Sequence, residues 1–183
     1  QANFDFISAN IIKSDTKRHL FEPYKIINLN GVKFGFIGVA SSIDGLDKRL
    51  EVKNPIEAYE DTRNQIADQC DYIIAVIALN ATDEHNFISG DTRADLIISA
   101  NQYRYSNYVQ SQQEKLVAYT DHSGKRIVKI TGKIKDKQKS FGKNSEIEYR
   151  VKMNQKRIQR YEKLAGEKTI QEYFKDQPRV IKM

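Results

Sequence analysis

The sequence has few residues with which to build a disulfide framework, a metal centre or a membrane span. It contains one cysteine, Cys70, and three histidines among 183 residues, whereas cysteine-based zinc sites and histidine-rich metal cages need several ligands. Its longest apolar runs, such as residues 72–79, are far shorter than the roughly 20 residues that cross a bilayer. We therefore expect no disulfide, no metal held by these residues alone and no transmembrane segment.

The composition is that of a folded domain with unevenly distributed charge. Hydrophobic residues make up 39% and charged residues 30% of the chain, which suits one domain with a substantial core. The net charge is +6, and residues 125–163 contain fourteen Lys and Arg against four Asp and Glu. Such a basic segment can attract nucleic acid, anionic lipid or an acidic protein, or it can simply be solvated.

Two β-rich runs joined by a tight turn form the clearest structural signal. Residues 24–29 and 32–40 are connected by Asn30-Gly31, a pair that favours a type I′ turn because both central residues need positive φ. The second run is apolar on both faces, as in a central, covered strand. Residues 3–12 also predict a strand.

The middle of the chain alternates between helix and strand signals. Asn54 can cap a helix that has Pro55 at its first position and whose apolar face ends at Cys70. We therefore expect Cys70 to be a small buried hydrophobic residue rather than a nucleophile. Buried strands are predicted over residues 71–79 and 95–99, with a loop between them.

The last strand signals complete the predicted sheet. Residues 116–120 and 126–134 flank a turn-rich stretch, which predicts an antiparallel hairpin at this end. The order of elements predicts an α/β fold, a layered sandwich of a mixed β-sheet with flanking helices, followed by a C-terminal amphipathic helix.

This C-terminal helix begins at a capping-box pattern in residues 145–148 and can end at Gly166 in a left-handed conformation. A second helical stretch is predicted over residues 169–175. The apolar stripe of the long helix consists of Ile147, Val151, Ile158, Tyr161 and Ala165. Its basic face consists of Lys152, Lys156, Arg157, Arg160 and Lys163. We expect a domain over residues 1–140 and a basic amphipathic helical extension over residues 141–183, which packs on the domain or on a partner.

Five segments have sequence patterns that are found in one enzyme family. They are Ser8-Ala9-Asn10, residues 21–25 (FEPYK) with 30–38 (NGVKFGFIG), residues 54–58 (NPIEA), residues 71–80 and residues 95–103. In this order they resemble the 5′-nucleotidase branch of the calcineurin-like metallophosphoesterases. The resemblance covers residues 3–134. It implies the C-terminal half of that family's catalytic domain and an extracytoplasmic location, in the periplasm or at the cell surface.

The metal-binding histidines that the resemblance implies are replaced in this sequence. The family's His-Leu-Gly corresponds to Ala78-Leu79-Asn80, and its Gly-Gly-His-x-His corresponds to residues 99–103, with Asn101 and Tyr103 at the histidine positions. Ala78 has no donor atom, and an amide or a phenolate replaces a neutral imidazole poorly at borderline-soft metals. The family's Asp-x-His, Gly-Asp-x-x-Asp and Gly-Asn-His motifs have no counterpart. Since a two-metal site needs ligands from both halves, the resemblance implies fold more than activity.

An aromatic loop follows the strand predicted over residues 95–99. It contains Tyr103, Arg104, Tyr105 and Tyr108, and aromatic residues interleaved with arginine can stack on a base or another ring. The resemblance places this loop where the family's active site would be. It is either a retained, non-catalytic ligand pocket or a segment that fills the former site or contacts a partner.

Other groupings resemble catalytic sites but have structural explanations. Residues 90–95 (GDTRAD) have one residue too many for the metal motif Gly-Asp-x-x-Asp. His85, beside Asp83 and Glu84, is expected on an exposed loop or short helix rather than in an acid–base cluster. Residues 121–123 (DHS) predict a hairpin tip, because a catalytic triad draws its members from separate elements.

Three functional hypotheses follow. The first is a degenerate, non-catalytic 5′-nucleotidase-like module that forms a structural or binding part of a larger protein or complex, since the chain looks cut from something longer at Gln1. The second is a fragment of a metal-dependent nucleotide phosphohydrolase, with two divalent metals if an upstream half supplies the ligands. The third is binding of nucleic acid or an anionic surface by the basic helix, although no recognised nucleic-acid motif supports it.

Overall fold

The computed structural model describes residues 4–100, 109–112, 115–120, 129–130 and 145–175. The chain divides into two compact units, Gln1–Lys143 and Asn144–Met183. The strands are β1 (Ile11–Lys13), β2 (Tyr24–Leu29), β3 (Val32–Ala40), β4 (Leu50–Val52), β5 (Tyr72–Ala78), β6 (Leu96–Ser99), β7 (Gln110–Gln112) and β8 (Lys115–Tyr119). The helices are α1 (Pro55–Ile66), α2 (Ala81–Ser89), α3 (Ser145–Ala165) and α4 (Ile170–Tyr173).

The first unit is built on a six-stranded mixed sheet with the order β2-β3-β5-β6-β8-β7. The four central strands are parallel, and β2 and β7 run antiparallel at the two edges. Strands β1 and β4 form a separate antiparallel pair. The predicted α/β architecture is confirmed. Within the described ranges, no helix is both long and apolar enough to cross a membrane.

The hairpin at the start of the sheet has the predicted strand bounds and turn. Asn30 has φ 53° and Gly31 has φ 81°, as a type I′ turn requires. Strand β3 lies between β2 and β5, so its predicted central position is confirmed, and its residues 37–39 are buried.

The prediction of a strand over residues 3–12 is largely wrong. Within the described part of residues 3–12, only the last two residues belong to β1. The amide of Ser8 donates to the carbonyl of Glu22 (2.9 Å), whereas that of Ala9 donates to Gly38 (2.8 Å). Because consecutive residues bond to different segments of the chain, no continuous ladder forms here.

Two predictions about the helices need correction. The helix predicted to reach Cys70 ends at Ile66 and continues as a 3₁₀ turn over Ala67–Gln69. The predicted loop between β5 and β6 contains α2 instead. Asn80 caps this helix, because its Oδ1 accepts a hydrogen bond from the amide of Asp83 (2.9 Å), a local signal that the sequence interpretation overlooked.

The far end of the sheet is antiparallel, but with a different partner from the one predicted. Strand β8 pairs with β7, which precedes it in the chain, and also runs parallel to β6. Of residues 126–134, the described residues are 129 and 130, which belong to no strand. The remainder of that predicted strand lies outside the described residues.

The main core lies between one face of the sheet and helices α1 and α2. Its largest fully buried members from the helices are Tyr59, Ile66 and Phe87, and the rings of Tyr59 and Phe87 meet edge to face at 4.9 Å. Cys70 is partly buried against this core, and burial raises the pKa of its thiol. Its position agrees with the predicted packing role, although its burial is incomplete.

The second unit contains α3 and α4. Gly166 has φ 62° and ends α3 in the left-handed conformation that was predicted. Thr169 caps α4 and forms a capping box with Glu172, and this hydrogen bonding lowers the pKa of Glu172. The rings of Tyr161 and Phe174 lie 5.1 Å apart, so the short second helix packs on the end of the first.

Candidate functional site at the carboxyl edge of the sheet

The candidate site lies where the parallel strands end. Strands β3, β5, β6 and β8 all point their carboxyl ends to the same edge of the sheet, which is where open α/β sheets bind ligands. Ser41 follows β3, Asn80 lies just after β5, and Ser99 ends β6. The sheet therefore brings polar side chains from distant parts of the chain to one edge.

Asp83 is held by hydrogen bonds at this edge. Its Oδ2 accepts from the hydroxyl of Ser41 and from Nδ2 of Asn80 (2.8 Å). The Ser41 hydroxyl also accepts a hydrogen bond from the backbone amide of Asn80 (3.0 Å). This network joins the end of β3 to the first turn of α2, where the helix dipole favours a negative charge.

Glu84 is a buried carboxylate beside this network. It is 2% exposed, and Ser99, 1% exposed, donates its hydroxyl to Glu84 Oε1. The pair connects α2 to the end of β6. The sequence interpretation placed Glu84 on an exposed element, and its burial follows from the helical spacing that it shares with Phe87 and Ile88.

The predicted site residues are only partly within the described ranges. Ala78 ends β5 at the candidate edge and is exposed. Its carbonyl accepts from the amide of Ser41 (3.0 Å). The predicted site residues Asn101, Tyr103, Arg104, Tyr105 and Tyr108 all lie outside the described residues.

The other groupings considered from the sequence form no catalytic site in the described residues. His85 is exposed on α2, in agreement with the prediction. Asp95, in the sequence that resembles a metal motif, accepts the amide of Ile73 at Oδ2 (2.7 Å), and burial raises its pKa. Thr92 in the same stretch is buried and donates to the carbonyl of Phe87 (3.0 Å). Residues 121–123 lie outside the described residues.

The described residues at this edge do not fit a two-metal centre. Nowhere in the described ranges do three His, Cys, Asp or Glu side chains lie close enough to hold one metal ion. Ala78 offers no donor, and the carboxylates of Asp83 and Glu84 accept hydrogen bonds from neighbouring side chains. A metal would have to replace these hydrogen bonds.

The basic face on α3 is exposed along its length. Its members Lys152, Lys156, Arg157, Arg160 and Lys163 are all exposed. The guanidinium of Arg157 lies 6.0 Å from the centre of the Tyr161 ring, at the outer limit of a cation–π contact. On the apolar stripe, Val151 and Ile158 are each 49% exposed, so this part of the stripe is accessible.

Comparisons with known proteins agree with the fold and the resemblance. No protein-family model matches the sequence. A 5′-nucleotidase from Vibrio parahaemolyticus is 32% identical over 76 residues, a match that covers 34% of this chain and 14% of that protein. The match is therefore to a small part of a longer protein.

Two solved structures share the architecture. The sulfate thiohydrolase SoxB of Thermus thermophilus, in complex with glycerol, has a TM-score of 0.59 and 13% identity over 67% of this chain and 24% of its own. A 5′-nucleotidase precursor from Thermus thermophilus has a TM-score of 0.50 and 18% identity over 66% of this chain and 28% of its own. The chain thus has a partial 5′-nucleotidase-type, metallophosphoesterase-like fold and is similar in sequence to a 5′-nucleotidase over part of its length.

Proposed function

We propose that this chain is a non-catalytic, 5′-nucleotidase-like module that forms a structural or binding part of a larger protein or complex. The observation that carries the proposal is Ala78, which stands exposed at the end of β5 where the resemblance places a metal-binding histidine. A methyl group cannot coordinate a metal. A two-metal hydrolase clamps its substrate and activates water only with a complete ligand set.

The hydrogen bonding at the site supports the same proposal. Asp83 and Glu84 bind the hydroxyls of Ser41 and Ser99, and these contacts stabilise the edge of the sheet. Carboxylates engaged in this way act as structural links between α2 and the strands. These hydrogen bonds give both carboxylates a structural role at this edge of the sheet.

We assign the binding role to a protein partner or to the remainder of a longer chain. The matched part corresponds to 14% of the 5′-nucleotidase relative, and α3 exposes both a basic face and half-exposed apolar residues. Such a helix suits contact with an apolar surface that is bordered by acidic groups. The location that we propose is extracytoplasmic, as the resemblance to 5′-nucleotidases implies.

The competing function is hydrolysis by a longer protein of which this chain is one part. The identity of 32% to a 5′-nucleotidase favours this alternative. In that case, metal ligands would lie upstream, and Asn101 or Tyr103 would serve as unusual ligands from this chain.

Metal analysis of the native protein distinguishes the two functions. The protein would be isolated from its source with an antibody against this chain and analysed for intact mass, bound zinc and manganese, and release of phosphate from AMP. The Vibrio 5′-nucleotidase serves as the positive control. We expect substoichiometric metal and no phosphate release. Stoichiometric metal together with AMP hydrolysis would overturn the proposal.

A second measurement tests the nucleic-acid alternative. Binding of the chain to duplex and single-stranded DNA would be measured over a range of salt concentrations, with a variant in which Lys152, Lys156 and Arg160 are changed to Gln as the matched control. A phosphate-binding surface loses affinity steeply with added salt. We expect weak binding without sequence preference, and tight binding that the triple variant abolishes would favour the nucleic-acid function instead.

A further inference from the structure

The tip of the β2–β3 hairpin presents a chemically labile pair of residues. Asn30 and Gly31 are both exposed and form the two central positions of the turn, with φ values of 53° and 81°. Glycine has no side chain to obstruct the approach of its own amide nitrogen to the preceding residue. No side chain at position 31 therefore obstructs attack of this nitrogen on the Asn30 carboxamide.

The reaction that this arrangement permits is deamidation. The Gly31 nitrogen loses its proton to base and attacks Cγ of Asn30, a carbon–nitrogen bond forms, and ammonia leaves to give a five-membered succinimide. Water then opens the ring at one of its two carbonyls. Opening at one restores the normal backbone with aspartate, and opening at the other gives isoaspartate, in which the chain runs through the side-chain carbon. The net change is one water consumed and one ammonia released, with no oxidation or reduction.

The structure contains a feature that opposes this attack. The Gly31 amide donates a hydrogen bond to Oδ1 of Asn28 (3.0 Å). A nitrogen that donates its proton to Asn28 is neither deprotonated nor turned toward Cγ of Asn30. We infer that Asn30 is a site of spontaneous deamidation and that the side chain of Asn28 restrains the reaction in the folded protein.

The modification would act on the edge of the sheet. A two-residue turn sets the register of the strands that it joins, and here it pairs Leu29 with Val32 and Asn28 with Lys33. Isoaspartate adds a backbone carbon to this turn, so the ladder next to it cannot keep its spacing. Deamidation to isoaspartate is thus expected to loosen β2 while leaving the parallel centre of the sheet in place.

The test follows deamidation of the full chain at mildly alkaline pH. Samples taken over time would be digested and analysed by liquid chromatography and mass spectrometry, which separate the peptide with intact Asn30 from its aspartyl and isoaspartyl products. We expect Asn28→Ala to accelerate product formation about fivefold, the factor that corresponds to the net contribution of one typical hydrogen bond. Asn28→Asp is expected to deamidate no faster than the parent chain, because a carboxylate accepts from the Gly31 amide at least as strongly as an amide oxygen does.

A control separates loss of this hydrogen bond from general loosening of the hairpin. Leu29→Ala removes an exposed side chain beside the turn and leaves the Asn28–Gly31 contact intact. Hydrogen exchange at the Gly31 amide reports the contact directly, and we expect faster exchange in Asn28→Ala than in Leu29→Ala. The inference fails if Asn30 stays intact in all variants while an unfolded peptide of the same sequence deamidates. It also fails if Asn28→Ala gives no more product than Leu29→Ala.

Discussion

The side chain of Asn10 forms two hydrogen bonds with the backbone of Ala40. Its Nδ2 donates to the Ala40 carbonyl (2.6 Å), and the Ala40 amide donates to its Oδ1 (3.0 Å). The same Nδ2 also donates to the backbone carbonyl of Lys53 (3.0 Å). In return, the backbone amide of Lys53 donates to the backbone carbonyl of Asn10 (2.9 Å). Asn10 is completely buried. One side-chain amide therefore connects the end of β3 to the segment after β4, next to the candidate site.

Removal of this amide should destabilise the first unit. Asn10→Ala leaves the backbone groups of Ala40 and the carbonyl of Lys53 without a buried partner, and each such group costs about 1–3 kcal/mol. We expect the free energy of unfolding, measured with urea, to fall by about 2–4 kcal/mol after partial rearrangement. Asn86→Ala, on the exposed side of α2, is the control and should change little. An Asn10→Ala loss no larger than that of the control would show that these hydrogen bonds contribute little.

A second prediction concerns the contact between Gly35 and Cys70. A Cβ atom on Gly35 would lie 2.7 Å from Cys70 Sγ and 2.9 Å from Cδ1 of Ile66, so Gly35→Ala overpacks the space between β3 and the end of α1. We expect a destabilisation of about 1–3 kcal/mol. Cys70→Ala in the same chain removes one of the two clashes and should restore part of the loss. A double-mutant cycle measured with urea gives this coupling, and strictly additive effects would contradict the contact.

The sequence predicted elements with strong local signals and missed those whose local signals are weak or that depend on tertiary contacts. The β2–β3 hairpin has an Asn30-Gly31 turn that determines its register locally. The pairing of β7 with β8 is also local, with Gln112 opposite Lys115, but β7 contains no β-branched or aromatic residue that would have indicated a strand. The strand that ends at Ala78 was likewise predicted from its apolar run, whereas the buried Glu84–Ser99 pair joins positions fifteen residues apart and forms only once α2 packs on the sheet.

A third prediction concerns the hydroxyl of Tyr59. Its side chain is fully buried, and the hydroxyl has no hydrogen-bond partner among the described residues. Burial also raises the pKa of Tyr59, as expected for a phenol in an apolar core. Since an unsatisfied buried hydroxyl is unfavourable, Tyr59→Phe should leave stability unchanged or raise it by about 1 kcal/mol.

The matched variant for this position is Tyr59→Leu, which also removes the ring that meets Phe87 at 4.9 Å. We expect it to destabilise the protein by about 2–4 kcal/mol, as for other large-to-small core substitutions. Both values come from urea unfolding under identical conditions. A large loss in Tyr59→Phe would mean that the hydroxyl forms a stabilising hydrogen bond.

The last prediction concerns the pH dependence that Asp95 contributes. Burial raises the pKa of Asp95 above its ordinary value, and the hydrogen bond from the Ile73 amide opposes this only in part. The folded protein therefore holds the Asp95 proton more tightly than the unfolded chain does. Protonation of Asp95 therefore stabilises the folded state. This stabilisation is complete below the pKa of Asp95 in the unfolded chain, and it is lost as the pH rises through the higher pKa of the folded protein.

Asp95→Asn keeps an oxygen for the Ile73 amide and removes the charge. The variant should be more stable than the parent chain at neutral pH, and this advantage should shrink as the pH is lowered toward the ordinary pKa of aspartate. Urea unfolding at a series of pH values measures the difference. Asp68→Asn, at an exposed carboxylate, controls for the change in net charge. A difference between Asp95→Asn and the parent chain that does not vary with pH would contradict the shifted titration, because a purely steric effect of the amide is independent of proton binding.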